Sequence, residues 1–310
     1  MKLSIVMPIY NEGSLIEQVI SELINVLDFQ NFNYEIICIN DGSIDNTSNV
    51  LDTLYKKNKS LIIINLSRNF GKELALSAGI DYASGDAVVP MDADGQHPPN
   101  LIPDMVEMWK KGYEVVLAKR NNRRSENFLM GVVKRIYYKI LNFTSEIHIP
   151  ENVGDFRLMD KSVVEVLKQL RERERFMKGL YAWLGFKSIT IDYEVRDRKS
   201  DKTKWQFFKL WKFALDGLTS FSVAPLKIWS YLGFLIFLFS TLYAFITLIQ
   251  YFIYGINVPG YASLIILILL FGGLQMMILG IIGEYISRIF IETKNRPLYI
   301  IRNILDNKLN

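Results

Sequence analysis

The feature that most constrains this 310-residue chain is a long segment without a charged side chain. From Ile228 to Gly283, 56 consecutive residues include no Asp, Glu, Lys or Arg. A single helix of that length would far exceed the roughly 30 Å hydrocarbon core of a bilayer. Glycine, asparagine and proline at 255–260 mark a turn within the segment. We therefore predict two membrane spans, near 229–253 and 262–283. A buried hairpin of a soluble protein is the alternative.

The charges around this hairpin predict its orientation. Basic residues precede the first span and follow the second, whereas the loop between the spans has none: Lys202, Lys204, Lys209, Lys212 and Lys227 before it, and Arg288, Lys294, Arg296 and Arg302 after it. Positive charge stays on the cytoplasmic side of a membrane. We therefore expect a protein of the cell (plasma or inner) membrane with two spans and with both termini and the N-terminal domain in the cytoplasm.

The segment just before the first span has the pattern of an amphipathic helix. Over 204–222, aromatic and aliphatic residues such as Phe207 and Trp211 recur at helical spacing, and Lys209 and Lys212 line the other side. Such a helix is suited to lying in the membrane interface, although a helix of a soluble core has a similar pattern. We thus divide the chain into a cytoplasmic domain (1–200), an interfacial helix and linker (201–227), a transmembrane hairpin (228–283) and a cytoplasmic tail (284–310).

The first 200 residues alternate between strand and helix patterns. Strands are predicted over 2–8, 34–40, 61–66, 87–91 and 114–118, and helices over 14–27, 47–58, 72–83 and 101–111, the first with Ser14 as its N-cap. This alternation is typical of an α/β fold with a mostly parallel, doubly wound, Rossmann-like sheet. Ligands of such sheets bind beyond the carboxyl ends of the strands.

Polar segments follow four of these strands, over 8–12, 40–47, 67–73 and 92–99. Any one of them is ordinary turn chemistry, but four at one sheet edge indicate a binding site. Asp92 and Asp94, with the amide of Gln96, offer the oxygen ligands that Mg²⁺ or Mn²⁺ prefers together with substrate phosphates. No P-loop and no Gly-x-Gly-x-x-Gly follows the first strand. The pattern therefore predicts a metal-bound diphosphate, as in a nucleotide sugar.

Composition excludes other classes. One cysteine and two histidines exclude a disulfide framework and a zinc site built on those residues. A net charge of +4 is too small to indicate a nucleic-acid-binding protein. We expect His97 to be a solvated loop residue rather than a metal ligand.

Several motifs resemble those of inverting family 2 glycosyltransferases of GT-A fold. The general motifs are Pro8-x-Tyr10-Asn11-Glu12, Asp41-Gly42-Ser43-x-Asp45-x-Thr47 and Asp92-Ala93-Asp94. The motifs Arg68-Asn69-Phe70-Gly71-Lys72, Gln96-x-Pro98-Pro99, Gly154-Asp155-Phe156-Arg157-Leu158-Met159 and Thr203-Lys204-Trp205 are similar to those of polyprenyl-phosphate glycosyltransferases. Within that subgroup the chain most resembles bactoprenol glucosyltransferases, and dolichol-phosphate mannose synthases are more distant.

The resemblance implies a role for each matching residue. The nucleotide sugar would be bound by Pro8, Tyr10, Glu12, Asp41 and Asp92. Asp92, Asp94 and Gln96 would hold the metal, and Asp155 would lie with Asp94 at the reacting centre. The lipid phosphate or the departing diphosphate would be contacted by basic residues, namely Arg120, Arg135, Arg196, Arg198 and Lys204.

The function implied is transfer of a hexose, with UDP-glucose as the first candidate donor, to polyprenyl (undecaprenyl) phosphate with inversion. UDP-GlcNAc, UDP-galactose and GDP-mannose are alternative donors. A polysaccharide synthase and an inactive membrane scaffold are alternatives of other classes. The partners expected are the donor, the lipid acceptor and membrane lipid, with a homo-oligomer through the spans as a further possibility and no nucleic acid.

Overall fold

A computed structural model describes residues 1–120, 153–173, 175–194 and 260–307, together with helical residues scattered between 235 and 253. The described strands are Lys2–Ile9 (β1), Asn33–Asn40 (β2), Leu61–Leu66 (β3), Ala87–Pro90 (β4), Val115–Arg120 (β5), Val153–Asp160 (β6), Ser188–Tyr193 (β7) and Ile301–Asp306 (β8). The helices are Ile16–Phe29 (α1), Thr47–Lys57 (α2), Lys72–Tyr82 (α3), Ile102–Lys110 (α4), Lys161–Gln169 (α5), Met177–Trp183 (α6) and Tyr261–Thr293 (α7).

These strands form one mixed sheet in the order β7-β5-β6-β4-β1-β2-β3-β8. β1 is parallel to β2 and β4, β2 to β3, and β5 to β7. β6 is antiparallel to both β4 and β5, and β8 is antiparallel to β3. The prediction of a mostly parallel sheet is therefore confirmed, with two antiparallel strands that were not predicted.

The sheet is covered on both faces, as a doubly wound fold requires. One face packs against α1, α2 and α4, and the other packs against α3, α5 and α6. Successive residues of β1 show the alternation, since Ile5 and Met7 contact the first core and Val6 contacts the second. Strands that are buried on both faces need apolar residues at nearly every position, which explains runs such as Leu61–Leu66.

The start of α1 differs from the prediction. The helix begins at Ile16, Leu15 is its N-cap residue, and no side chain caps it, so the predicted N-cap role of Ser14 is wrong. The reason is a turn before the helix, in which the amides of Leu15 and Ile16 both donate to the carbonyl of Glu12 at 3.0 and 2.9 Å. The other predicted strands and helices up to β5 agree with the structure to within about two residues at most ends, as is usual for boundary assignments.

Helix α7 contains the second predicted span and continues ten residues beyond it, to Thr293. The extension carries the charged residues Glu284, Arg288 and Glu292, and the first two form an ion pair one turn apart at 3.2 Å. In the part of the chain that the structure describes, one helical segment, Phe271–Thr293 within α7, is long and apolar enough to cross a membrane. The described residues of the first predicted span are helical, whereas the interfacial helix of 204–222 lies outside the described residues.

The end of α7 is attached to the α/β domain through a polar cluster. The guanidinium of Arg173 donates to the backbone carbonyl of Glu292 at 2.8 Å, to its carboxylate at 3.0 Å and to the carbonyl of Arg296 at 2.9 Å. Tyr299 then donates to Asp81 at 2.6 Å, and β8 pairs with the edge strand β3. The tail after the apolar helix therefore returns to the same sheet.

Gly42 provides a test of how tightly the loop after β2 packs against the loop after β3. Its φ is +67°, and an added Cβ would lie 2.5 Å from the carbonyl carbon of Arg68. We expect Gly42→Ala to lower the free energy of unfolding by about 3 kcal/mol, because it combines a strained φ with a clash against backbone. Thermal unfolding in detergent measures the change.

Gly112→Ala is the matched control, since Gly112 has a φ of +90° and no atom within 4 Å of an added Cβ. It carries only the conformational cost of about 1 kcal/mol. Equal destabilisation of the two variants would show that the close approach of the two loops is not a constraint.

Candidate active site

The predicted site residues come together because strand ends meet at one edge of the sheet. Asp92 and Asp94 follow β4, and Arg120 ends β5. Asp155 is the third residue of β6, and it reaches the same edge because β6 runs antiparallel between β4 and β5. Tyr193, at the end of parallel β7, completes this edge.

Lys72 joins two of these strand ends. Its Nζ lies 2.6 Å from Oδ1 of Asp92 and 2.7 Å from Oδ2 of Asp155. Burial alone would lower the pKa of Lys72, but the two carboxylates outweigh burial and raise the pKa above its ordinary value. The ammonium group therefore remains charged and connects the predicted metal-binding carboxylate with the predicted reacting centre.

Asp155 is held as an anion. Burial alone would raise the pKa of Asp155, but the charges of Lys72, Arg157 and Lys178 outweigh burial and lower the pKa below its ordinary value. Its Oδ2 accepts from Lys72, whereas its Oδ1 is buried without a partner among the described residues. A carboxylate with a lowered pKa and a lysine partner is a poor proton acceptor, so this geometry favours a positioning role over a general-base role.

A buried arginine supports the strand that carries Asp155. The guanidinium of Arg157 lies 3.7 Å above the ring of Tyr181 and donates to the carbonyl of Gly154 at 2.6 Å. Glu73 lies in the same polar region, where burial and then the charge of Asp155 raise its pKa to about 7. Arg157 thus fixes the backbone immediately before Asp155.

Asp41 is positioned to organise the loop that carries Lys72. Its side chain is 2% exposed, and its two carboxylate oxygens accept from the amides of Phe70 at 2.7 Å and Gly71 at 2.9 Å. Burial raises the pKa of Asp41, against the opposing effect of these two hydrogen bonds. The predicted role of Asp41 in nucleotide binding stays a prediction, and the structure adds a second task for it.

The loops after β1 and β2 are hydrogen-bonded to each other, and Pro8 lies near the end of β1 opposite Ile39. Asn11 has a φ of +56° and accepts from the amide of Ile44 at 2.9 Å, and the amide of Glu12 donates to Oγ1 of Thr47 at 3.0 Å. Tyr10 remains 44% exposed. An exposed aromatic ring beside a rigid loop can stack on a nucleotide base.

His97 is not a solvated loop residue, and that expectation is wrong. It is 1% exposed, its ring stacks on Phe156 at 4.7 Å, and its Nδ1 accepts from the amide of Asp92 at 3.0 Å. Burial lowers its pKa. Because Nδ1 is an acceptor, the neutral ring carries its proton on Nε2, which faces Arg120 at 3.4 Å as a contact rather than an acceptor. His97 thereby holds the backbone of the Asp92 loop.

The donor set at this edge fits a hard divalent cation. Asp92 and Asp94 supply carboxylates, Gln96 supplies an amide, and the Gln96 backbone amide donates to Oδ1 of Asp94 at 3.1 Å. Within the described ranges, no three His, Cys, Asp or Glu side chains form a group that could hold a metal by themselves. Two carboxylates with substrate phosphates and water is a usual environment for Mg²⁺.

Of the predicted phosphate-binding residues, Arg120 lies at this edge, where its Nε donates to the hydroxyl of Tyr193 at 3.2 Å. Arg135, Arg196, Arg198 and Lys204 lie outside the described residues. Sequence reasoning assigned no role to Lys72, Arg157 or Tyr193. Lys72 could have been found, because it lies in the polar segment that follows β3. Arg157 lies in the same motif as Asp155, but its contacts with Tyr181 and the carbonyl of Gly154 are visible only in the structure. Tyr193 had no such signal, because β7 was not predicted.

Asp41→Asn separates the structural task of Asp41 from nucleotide binding. The amide side chain keeps one acceptor, so one of two buried backbone N–H groups loses its partner, at a cost of about 1–3 kcal/mol. We therefore expect the nucleotide-free protein to unfold at lower temperature and the amides of residues 70–71 to exchange hydrogen faster.

Asp52→Asn, on the exposed face of α2, is the matched control. If Asp41→Asn weakens nucleotide binding but leaves unfolding and hydrogen exchange of the free protein at wild-type values, the structural task is refuted.

Comparison with known proteins identifies the family. Residues 4–168 match glycosyl transferase family 2, and residues 224–289 match the GtrB C-terminal hairpin. A glycosyltransferase of Synechocystis is 49% identical over 303 residues, which cover 98% of this chain and 95% of that protein. A bactoprenol glucosyl transferase of Shigella phage SfV is 42% identical, covering 98% and 99%.

Among solved structures, mannosyl-3-phosphoglycerate synthase from Rubrobacter xylanophilus is similar with a TM-score of 0.46 and 15% identity, covering 70% of this chain and 71% of that one. The family match and the relatives confirm the predicted class of enzyme. The chain belongs to glycosyl transferase family 2, and within it to the group that resembles bactoprenol glucosyl transferases.

Proposed function

We propose that this protein transfers glucose from UDP-glucose to polyprenyl (undecaprenyl) phosphate with inversion, giving a lipid-linked monophosphate sugar for modification of cell-surface glycans. The observation that carries the proposal is the Asp92–Lys72–Asp155 bridge, which brings a metal-type carboxylate and a second carboxylate to one sheet edge. Relatives named bactoprenol glucosyl transferases that match almost the whole chain support the substrate class.

The donor would lie along the loops after β1, β2 and β4. Tyr10 offers an exposed ring for the base, and Glu12 and Asp41 are on the two loops beside it. Asp92, Asp94 and Gln96 would hold Mg²⁺ or Mn²⁺ at the diphosphate. When bound, the ion would stabilise the negative charge of the departing nucleoside diphosphate.

The acceptor needs little activation. A phosphate monoester has a second pKa of about 6, so at neutral pH it is largely a dianion and already a nucleophile. The protein's main task is then alignment of the phosphate oxygen with the anomeric carbon for one in-line displacement. Asp155, paired with Lys72, is suited to orienting a sugar hydroxyl or the acceptor.

The C-terminal region would place this chemistry at a membrane. Apolar side chains of α7 such as Met276 and Leu279 are exposed on the helix surface, and the Arg173 cluster attaches its polar end to the sheet. We propose two spans, 229–253 and 262–283, a cytoplasmic catalytic domain and cytoplasmic termini. Subunits could associate through the spans.

UDP-GlcNAc, UDP-galactose and GDP-mannose are the other donors for the same lipid class. A processive polysaccharide synthase is less well supported, because the sequence has no Gln-x-x-Arg-Trp motif. An inactive scaffold would have no need of Asp92, Asp94 and Gln96 together.

A donor panel tests the proposal. Purified protein with polyprenyl phosphate, divalent metal and each labelled nucleotide sugar should give a short lipid product from UDP-glucose. Asp94→Asn should lower the rate by at least about 100-fold, since it removes a charged ligand of the metal, and EDTA should do the same to the wild type.

Asp104→Asn, an exposed carboxylate at the start of α4, should keep wild-type activity. A polymeric product or no product from any donor would contradict the proposed function. Full activity of Asp94→Asn in EDTA would refute the metal assignment but would leave the proposed transfer reaction standing.

Cysteine labelling tests the topology. Asn257→Cys, in the predicted loop between the spans, should react with an impermeant maleimide on intact cells. Asp52→Cys, exposed on α2, should react only after permeabilisation. Native Cys38 adds no background, because it is fully buried and burial raises the pKa of its thiol to about 12. The reverse pattern would overturn the cytoplasmic assignment of the donor site.

A further inference from the structure

Lys72 belongs to the motif Arg68-Asn69-Phe70-Gly71-Lys72 and pairs with Asp155, but the proposed function gives it no role of its own toward the acceptor. It is the first residue of α3, and its Nζ bridges Asp92 and Asp155 at 2.6 and 2.7 Å. Its side chain is 45% exposed, whereas that of Asp155 is 10% exposed, so the lysine side chain offers a larger fraction of its surface to solvent than the aspartate side chain does.

The position of Lys72 is set by the backbone before it. Asp41 accepts from the amides of Phe70 and Gly71, the two residues that precede Lys72. Gly71, at the N-cap of α3, has a φ of +99° that turns the chain into the helix. The lysine is therefore presented by a fixed loop and a helix start.

The charges around Lys72 create a problem for an anionic acceptor. Asp92, Asp94 and Asp155 meet at one edge, and a phosphate dianion that approaches Asp155 would be repelled by its carboxylate. Lys178 and Arg157 also act on Asp155, but Arg157 is 4% exposed and stacks on Tyr181. Among the residues that the structure describes, Lys72 is the cation that pairs directly with Asp155 and also has a partly exposed side chain.

We propose that Lys72 is a positioning residue that neutralises Asp155 and thereby admits the acceptor phosphate to the reacting centre. This inference rests on the proposed function, and it adds a residue that controls binding of the anionic acceptor.

A charge cycle on Lys72 and Asp155 tests the inference through binding. The ligand is farnesyl phosphate, titrated in detergent in the presence of saturating UDP and Mg²⁺, and farnesol is the uncharged control ligand. We expect Lys72→Met to raise the Kd for farnesyl phosphate by about 10- to 100-fold and to leave the Kd for farnesol unchanged. Lys72→Arg, which keeps the charge, should stay within about threefold of wild type.

Asp155→Asn should lower the Kd for farnesyl phosphate, because it removes the repelling charge. In the Asp155→Asn background, Lys72→Met should then have an effect at least severalfold smaller than in the wild type, because the charge it balances is gone. Lys111→Met, which breaks an exposed helix pair with Glu107, is the matched control and should bind as wild type does. Thermal unfolding of every variant verifies that it is folded.

The outcomes that contradict the inference are distinct. An equal effect of Lys72→Met in both backgrounds would overturn the pairing with Asp155. A larger loss of UDP affinity than of farnesyl phosphate affinity would place Lys72 on the donor diphosphate and overturn the inference. If the wild type transfers sugar and Lys72→Met has the same Kd for farnesyl phosphate as the wild type, the inference is overturned and the proposed function stands. A wild type that binds no prenyl phosphate would overturn both.

Discussion

The ion bridge from Lys72 to Asp92 and Asp155 is the interaction on which the rest of the site depends. It connects a helix start with the ends of two neighbouring strands, and each partner is held by a separate part of the fold. Two carboxylates brought this close would repel each other without a cation between them. The close approach of Asp92 and Asp155 therefore depends on the charge of Lys72.

Support for this bridge comes from three buried side chains that hold the backbone next to its members. Asp41 holds the two amides before Lys72, Arg157 holds the carbonyl before Asp155, and His97 accepts from the amide of Asp92. Each is nearly or fully buried, and each makes a hydrogen bond to backbone. Such contacts fix the direction of a neighbouring side chain, which is how a site on loops acquires defined distances.

A second feature of the fold is the connection between the sheet and the apolar helix α7. β8 pairs with β3 at the edge of the sheet, and Arg173 binds the last turn of α7. Helix α3 links the site to the chain that follows α7. Lys72 is in its first turn, and Asp81, in its last turn, accepts a hydrogen bond from Tyr299. A site for a lipid-borne acceptor needs such an attachment, because its distance from the membrane must match the reach of the acceptor head group.

The sequence by itself determined the α/β class, the first five strands, the polar edge with Asp92 and Asp94, and the apolar C-terminal segment, because each follows from local periodicity or from a run of residues. Only the tertiary structure decided that β6 is antiparallel, which brings Asp155 to that edge, that β8 joins the sheet, and that His97 is buried. These outcomes depend on pairing between segments far apart in the chain, and local pattern carries no information about which distant strand a segment will meet.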